Sequence, residues 1–165
     1  MARRKEKNRF GDLLPQYHFA LNPYPDLRFT SCPRCQTKTG QRKLPLLIHI
    51  DPRVLIALNY TNRYCKRCDL LIAHKVEIEH LLTEMFREVE PEIVGNAYLI
   101  FATVGKQAWR ENMQQPKALA ELRGHISDFK SYEELRMTMA GWFREGQEPP
   151  VMEPPTSREW VKGAL

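Results

Sequence analysis

Two short cysteine pairs constrain this chain more than anything else in it: Cys32 and Cys35 in SCPRC, and Cys65 and Cys68 in YCKRC. All four cysteines of the 165 residues lie in these pairs, spaced C-x2-C-x29-C-x2-C. A CxxC turn lets two sulfurs approach one ion from the same side, and two such turns close a tetrahedron of soft thiolates, the coordination zinc favours. The N-terminus, MARRKEKNRF, has a positive start but no apolar stretch behind it, so no secretory signal is expected. A cytoplasmic setting is therefore the expectation, and thiols there are kept reduced rather than paired as disulfides. The arithmetic favours one structural Zn2+ held by Cys32, Cys35, Cys65 and Cys68. A thioredoxin-like redox pair would want its CxxC at the start of a helix after a strand, which these turns fit poorly. An iron–sulfur cluster can use four cysteines, although symmetric paired spacing is commoner for zinc. Four cysteines leave no open position for water, so hydrolysis at the metal is not expected.

Between the pairs the apolar pattern has the period of strands. Leu46, Ile48 and Ile50 alternate with Leu47 and His49, Asp51-Pro52 signals a turn, and Val54, Ile56, Leu58 and Tyr60 alternate again, which reads as a hairpin although residues 54–58 alone also suit a helix. A third apolar strand is expected over residues 70–74. With CPRC and CKRC placed at the ends of this hairpin, residues 29–75 resemble a zinc ribbon. The resemblance implies a structural metal and no particular partner, because ribbons occur in transcription factors, ribosomal proteins, primases and protein adaptors. The lead-in and rear half are similar to uncharacterised bacterial zinc-ribbon proteins, which implies no activity. Many ribbons carry a glycine soon after the second cysteine of a knuckle. Here Gln36 and Asp69 stand there, so less regular turns are expected.

The fold class expected is α+β: an N-terminal four-cysteine zinc ribbon of about three antiparallel strands, then a small, mainly helical domain with one short strand. Residues 1–28 read as a basic arm and an extended lead-in, with residues 10–30 packing on the following domain through Phe19, Tyr24 and Phe29. Residues 29–75 form the ribbon and residues 76–146 the helical domain. Within the latter, Ile78, Leu81, Leu82, Met85, Phe86 and Val89 share one helical face ending near Pro91. Residues 97–104, AYLIFATV, read as a buried strand and residues 116–126 as a further helix. Ser131 with Glu134 reads as a capping box opening a helix through Trp142 and Phe143, ended by Gly146. Residues 147–165 are a Pro-rich tail with Trp160 as a docking point for a partner. No apolar run approaches the roughly 20 residues of a membrane span.

The net charge of +5 is unevenly divided: residues 1–75 hold 15 Lys or Arg against 5 Asp or Glu, and residues 76–165 hold 10 against 15. A zinc with four thiolates is a dianion, so Arg34, Lys66 and Arg67 have a local explanation as its neighbours. The remaining basic excess suits a phosphate-binding surface for DNA or RNA. Arg3, Arg4, Lys5, Arg42, Lys43, Arg53 and Arg63 are its candidates, and Tyr64 could stack on bases. The competing reading is a protein–protein adaptor, or a subunit of a larger complex, that uses the acidic rear half or the tail. Glu77, His80 and Glu84 give a single ExxH-type pattern with no second copy, hence a solvated helix face. His74 is a weak candidate for a contact with a cysteine sulfur. No phosphate loop, nucleophile elbow or HExxH is present, so a non-catalytic binding protein without a small-molecule substrate is expected.

Overall fold

The alternating residues either side of Asp51-Pro52 build one long hairpin. In the computed structural model, β2 (Gly40–Ile50) and β3 (Val54–Cys65) run antiparallel through eleven residue pairs, from Gly40 opposite Tyr64 to Ile50 opposite Val54. The structure describes residues 9–139, 141–142, 144–154 and 160. The expected third strand is β4 (Leu70–His74), antiparallel to β3. Pro45 lies inside β2 but beyond the last residue that β2 pairs with β5 (Tyr98–Val104), so its missing N–H interrupts no ladder there. Its carbonyl accepts a 2.7 Å hydrogen bond from the buried Thr103 hydroxyl.

The hairpin is not an independent ribbon, and the chain beyond residue 75 is not a helical domain. Strand β5 pairs antiparallel with β2, and β6 (Ile126–Asp128) with β5. Strand β1 (His18–Asn22) lies parallel between β4 and β7 (Ser131–Glu134). The result is a seven-stranded mixed sheet in the order β6-β5-β2-β3-β4-β1-β7. Its two outermost strands are separated in the chain only by Phe129 and Lys130. The Phe129 N–H donates to the Phe101 carbonyl (3.0 Å) and the Lys130 N–H to the Tyr17 carbonyl (2.8 Å). On the other side of β6, the Leu13 and Gln16 N–H groups donate to the carbonyls of Ile126 (3.2 Å) and Asp128 (3.0 Å). The sheet therefore curls until its ends meet along residues 126–134.

Closure explains the burial. Phe19 and Leu21 of β1, Leu46, Ile48 and Ile50 of β2, Leu71 and Ala73 of β4 and Ile100 of β5 form one apolar cluster. Helix α1 (Lys75–Phe86) adds Ile78, Leu82 and Phe86 to it. Burying an aliphatic side chain of this size contributes about 1.5–3 kcal/mol. The expected helical stripe is narrower than its spacing implied, since Leu81 and Met85 are exposed and Val89 is 75% exposed. A register shift in the β2–β5 ladder between Leu47 and Ile48 turns Ala102 and Val104 outward. There they join Leu47 and Ile126 under Ala108 of α2 (Lys106–Gln114).

Two helical expectations fail for the same reason. Ser131 and Glu134 cap no helix: residues 131–134 are extended because β1 offers them a parallel edge. The Ser131 hydroxyl meets His18 Nδ1 at 2.7 Å, and Tyr132 stacks on Phe19. Tertiary pairing outweighs a local cap motif here. Beyond them Trp142 is fully exposed, and Phe143 lies outside the described residues. Of residues 116–126 only α3 (Leu119–Leu122) is α-helical. Among the described residues no helix is long and apolar enough to cross a membrane.

Candidate metal centre

The sheet brings the two cysteine pairs to one end of the β2–β3 hairpin. Ahead of β2, residues 30–39 fold back on themselves: the Cys32 N–H donates to Thr37 O, the Gln36 N–H to Cys32 O, and the Thr39 N–H to Thr30 O, at 2.8–2.9 Å. Cys65 closes β3, and Cys68 sits in the turn into β4. Gln36 (φ 61°) and Asp69 (φ 53°), each following the second cysteine of its pair, both adopt the left-handed backbone that glycine would supply. The turns are therefore regular, contrary to the expectation from their sequence. Asp69 is held in that conformation by the Tyr64 hydroxyl (2.9 Å) and the Lys130 ammonium (3.0 Å).

The four sulfurs lie within 4.8 Å of one another, with Cys35–Cys65 at 3.5 Å and Cys32–Cys68 at 3.9 Å. Metal–sulfur bonds of about 2.3 Å in a tetrahedron put sulfurs about 3.8 Å apart, so the donor set fits one ion. Cys32 and Cys65 are buried among Ala20, Leu70, Ile72 and Leu135. The Arg34 N–H points at Cys32 Sγ (3.4 Å). The environments are unequal. Hydrogen bonds from the Thr37 side chain and backbone bring the Cys35 thiol down to about 6. Sharing a hydrogen bond with Cys35, together with burial, pushes Cys68 up to about 12. Burial also raises Cys65. Four thiols facing one point cannot all lose their protons without a cation among them.

The sequence-predicted basic residues do not form one surface. Arg53 lies in the turn at the far end of the hairpin, roughly 30 Å along the strand from Arg63 at the ordinary rise per residue. Arg63 is committed to Thr39, donating to its hydroxyl (3.1 Å) and its carbonyl (3.0 Å). Arg42 stacks on the Tyr64 ring, 4.0 Å from its centre, and donates to the Tyr17 hydroxyl at 3.1 Å. Lys43 is exposed on the opposite face of the same strand. Arg34 is paired with Glu133 at 2.7 Å, whereas Lys66 and Arg67 are exposed. Arg3, Arg4 and Lys5 lie outside the described residues. Trp160 packs on its own chain, edge-on to Tyr98, with its indole N–H on the Asn96 carbonyl at 2.9 Å.

A second polar cluster went unnoticed in the sequence. The β3–β4 ladder has only three pairs, Arg63–Ile72, Tyr64–Leu71 and Cys65–Leu70, after which β4 leaves for α1. Into the gap the Tyr60 hydroxyl donates to Glu77 (2.5 Å) and accepts from the His74 N–H (3.3 Å). Arg28 binds the other Glu77 oxygen at 2.8 Å. Burial pushes Glu77 up, but the bonds from Tyr60 and Arg28 and the nearby positive charge outweigh it and hold the carboxyl below its ordinary value. His74 meets Pro25 O at 3.2 Å rather than a sulfur. His80 and Glu84 remain an exposed pair. Glu77 and His74 are three positions apart in sequence, but Tyr60 and Arg28 reach them only through the tertiary fold, which no local pattern encodes.

Compared with known proteins, the chain matches no family model, no curated protein and no solved structure.

Proposed function

We propose that this is a non-catalytic binding protein in which Cys32, Cys35, Cys65 and Cys68 hold one structural Zn2+, and whose basic surface beside that centre contacts the phosphates of a nucleic acid or ribonucleoprotein. The sulfur spacing and the burial of two of the four cysteines support a closed site, and thiolate softness supports zinc. One observation carries the phosphate reading. Among the described residues Lys38, Arg42, Lys66 and Arg67 make no salt bridge and sit at the cysteine end of the hairpin, while Lys43 lies on the other strand face from Arg42 and does not belong to this group. Between residues 38 and 67 the only carboxylate is Asp51, at the opposite end. Tyr64 under Arg42 adds a π surface.

Fluorescence anisotropy with labelled single- and double-stranded DNA and RNA, over a salt series, tests this. Binding should weaken linearly in log–log form with salt, and the slope should shrink in Arg42→Glu and Lys66→Glu. No binding at low salt would remove the nucleic-acid reading and leave a protein partner.

A further inference from the structure

The cluster around Glu77 borders a cavity of about 330 Å3, at the lower end of the range for small-molecule sites. Its one carboxylate, Glu77, and the Asn22 carboxamide oxygen are already used. Both Glu77 oxygens are taken, by Arg28 and Tyr60. The Asn22 carboxamide donates to Leu27 O and accepts from the Tyr24 N–H. His74 faces a carbonyl with Nε2, which must therefore donate, and its Nδ1 is buried beyond the reach of solvent.

The donors are not used up. Arg28 spends only Nη1, leaving Nε and Nη2. Arg63 spends Nε and Nη2, leaving Nη1. The Thr30 and Thr61 hydroxyls and the Gln41 carboxamide, all lining the cavity, make no side-chain hydrogen bond among the described residues. Two guanidinium groups face one carboxylate, so the wall carries a net positive charge. Helix α1 starts beside the cavity as well, with no side-chain cap from His74 at its N-cap and with Glu77 in its first turn. A space with spare donors from separate stretches of chain, its only carboxylate already bonded and an excess of positive charge calls for a ligand rich in acceptor oxygens. A tetrahedral oxyanion meets guanidinium groups from two directions better than a planar carboxylate does.

We propose that this cavity binds a phosphate monoester, with Arg28 and Arg63 gripping the phosphate and Thr30, Thr61 and Gln41 receiving the group that carries it. The phosphate can come from a free nucleotide or from the end of a nucleic-acid strand. This site does not depend on the nucleic-acid reading above: Gln41, Thr61 and Arg63 lie on the opposite strand face from Arg42.

Calorimetric titration of the full chain with inorganic phosphate and adenosine 5′-monophosphate tests it, alongside a short oligonucleotide with and without a 5′-phosphate. The monophosphate should bind the wild type, and at least about tenfold more weakly in Arg28→Gln and in Thr61→Val. Arg53→Gln, at the far end of the hairpin, should leave that binding unchanged. Thr61→Val removes no charge and no internal hydrogen bond, so its loss of affinity cannot be put down to a damaged fold. A preference for the 5′-phosphorylated strand that Arg28→Gln abolishes identifies a strand end as the source; binding of the free compounds alone identifies a small molecule. If neither inorganic phosphate nor the monophosphate binds at millimolar concentration, or if both variants bind like the wild type, the proposal is wrong. Anisotropy and calorimetry can fail separately, so loss of one reading leaves the other standing.

Discussion

Gln36 and Asp69 occupy the same place in two unrelated stretches of chain: each follows the second cysteine of its pair with a left-handed backbone, at φ 61° and 53°. Only Asp69 is compensated for that conformation, by Tyr64 and Lys130; the Gln36 side chain is exposed and makes no hydrogen bond among the described residues. Gln36→Gly should therefore stabilise the protein by about 0.5–1 kcal/mol, since glycine reaches this region without steric cost. Asp69→Gly should destabilise it. Urea unfolding of the two variants against the wild type measures the opposite signs.

The seam that closes the sheet makes its own demand. A methyl group at Gly11 would lie 2.1 Å from the Ile126 carbonyl oxygen, a backbone atom that cannot move aside alone. Gly11→Ala should cost about 1–3 kcal/mol. Its effect should appear first as faster amide exchange along residues 126–130, ahead of the β2–β3 ladder. Uniform loss of protection would mean that closure is not a separable feature.

Stability should fall on the alkaline side. Burial, then hydrogen bonding to and the charge of Glu77, raises Tyr60 above its ordinary value of 10; burial, then the charge of Glu79 and the bond to it, raises Tyr98 as well. Below pH 10 both tyrosines are protonated folded or unfolded, and their contribution is complete. Above it the unfolded chain loses these protons first, so stability drops as pH rises toward the folded values. Chemical denaturation at pH 9, 10 and 11 should show the decline, and Tyr98→Phe should make it shallower. At neutral pH the same variant should cost about 1–3 kcal/mol, because it strips a 2.9 Å bond from the buried Glu79 carboxylate.

The sequence made local structure legible where one period acted alone. The alternation of Leu46, Ile48 and Ile50, the turn at Pro52, the strand at residues 97–104 and the start of α1 could all be read directly. What could not be read was the sheet. Its closure depends on β1, five residues that looked like a lead-in, and on residues 131–134, whose serine and glutamate mimic a helix cap. Strand β1 is extended because it pairs on both sides, with β4 and β7, and residues 131–134 are extended because β1 offers them an edge. The cysteine cluster was legible because paired CxxC spacing suits four sulfurs that face one point. The Tyr60–Glu77–Arg28 cluster was not, because three separate elements meet there.

That architecture changes what metal loss should do. The main apolar cluster, with Ile48, Ile100 and Ile78, contains none of the four cysteines. Cys65→Ser should release the metal and loosen residues 30–39 and 64–70, while amides of Ile48 and Ile100 keep their protection. Hydrogen exchange of that variant separates this from the global unfolding an isolated metal-dependent hairpin would show.

Four thiolates should close around one ion. X-ray absorption at the zinc edge of protein purified without added metal tests it most directly, together with a metal count per chain. One zinc with four sulfur neighbours at about 2.3 Å and no nitrogen or oxygen in the shell is the predicted result. A first shell containing nitrogen or oxygen, or protein that is fully folded at the cysteine end with no bound metal, would contradict it.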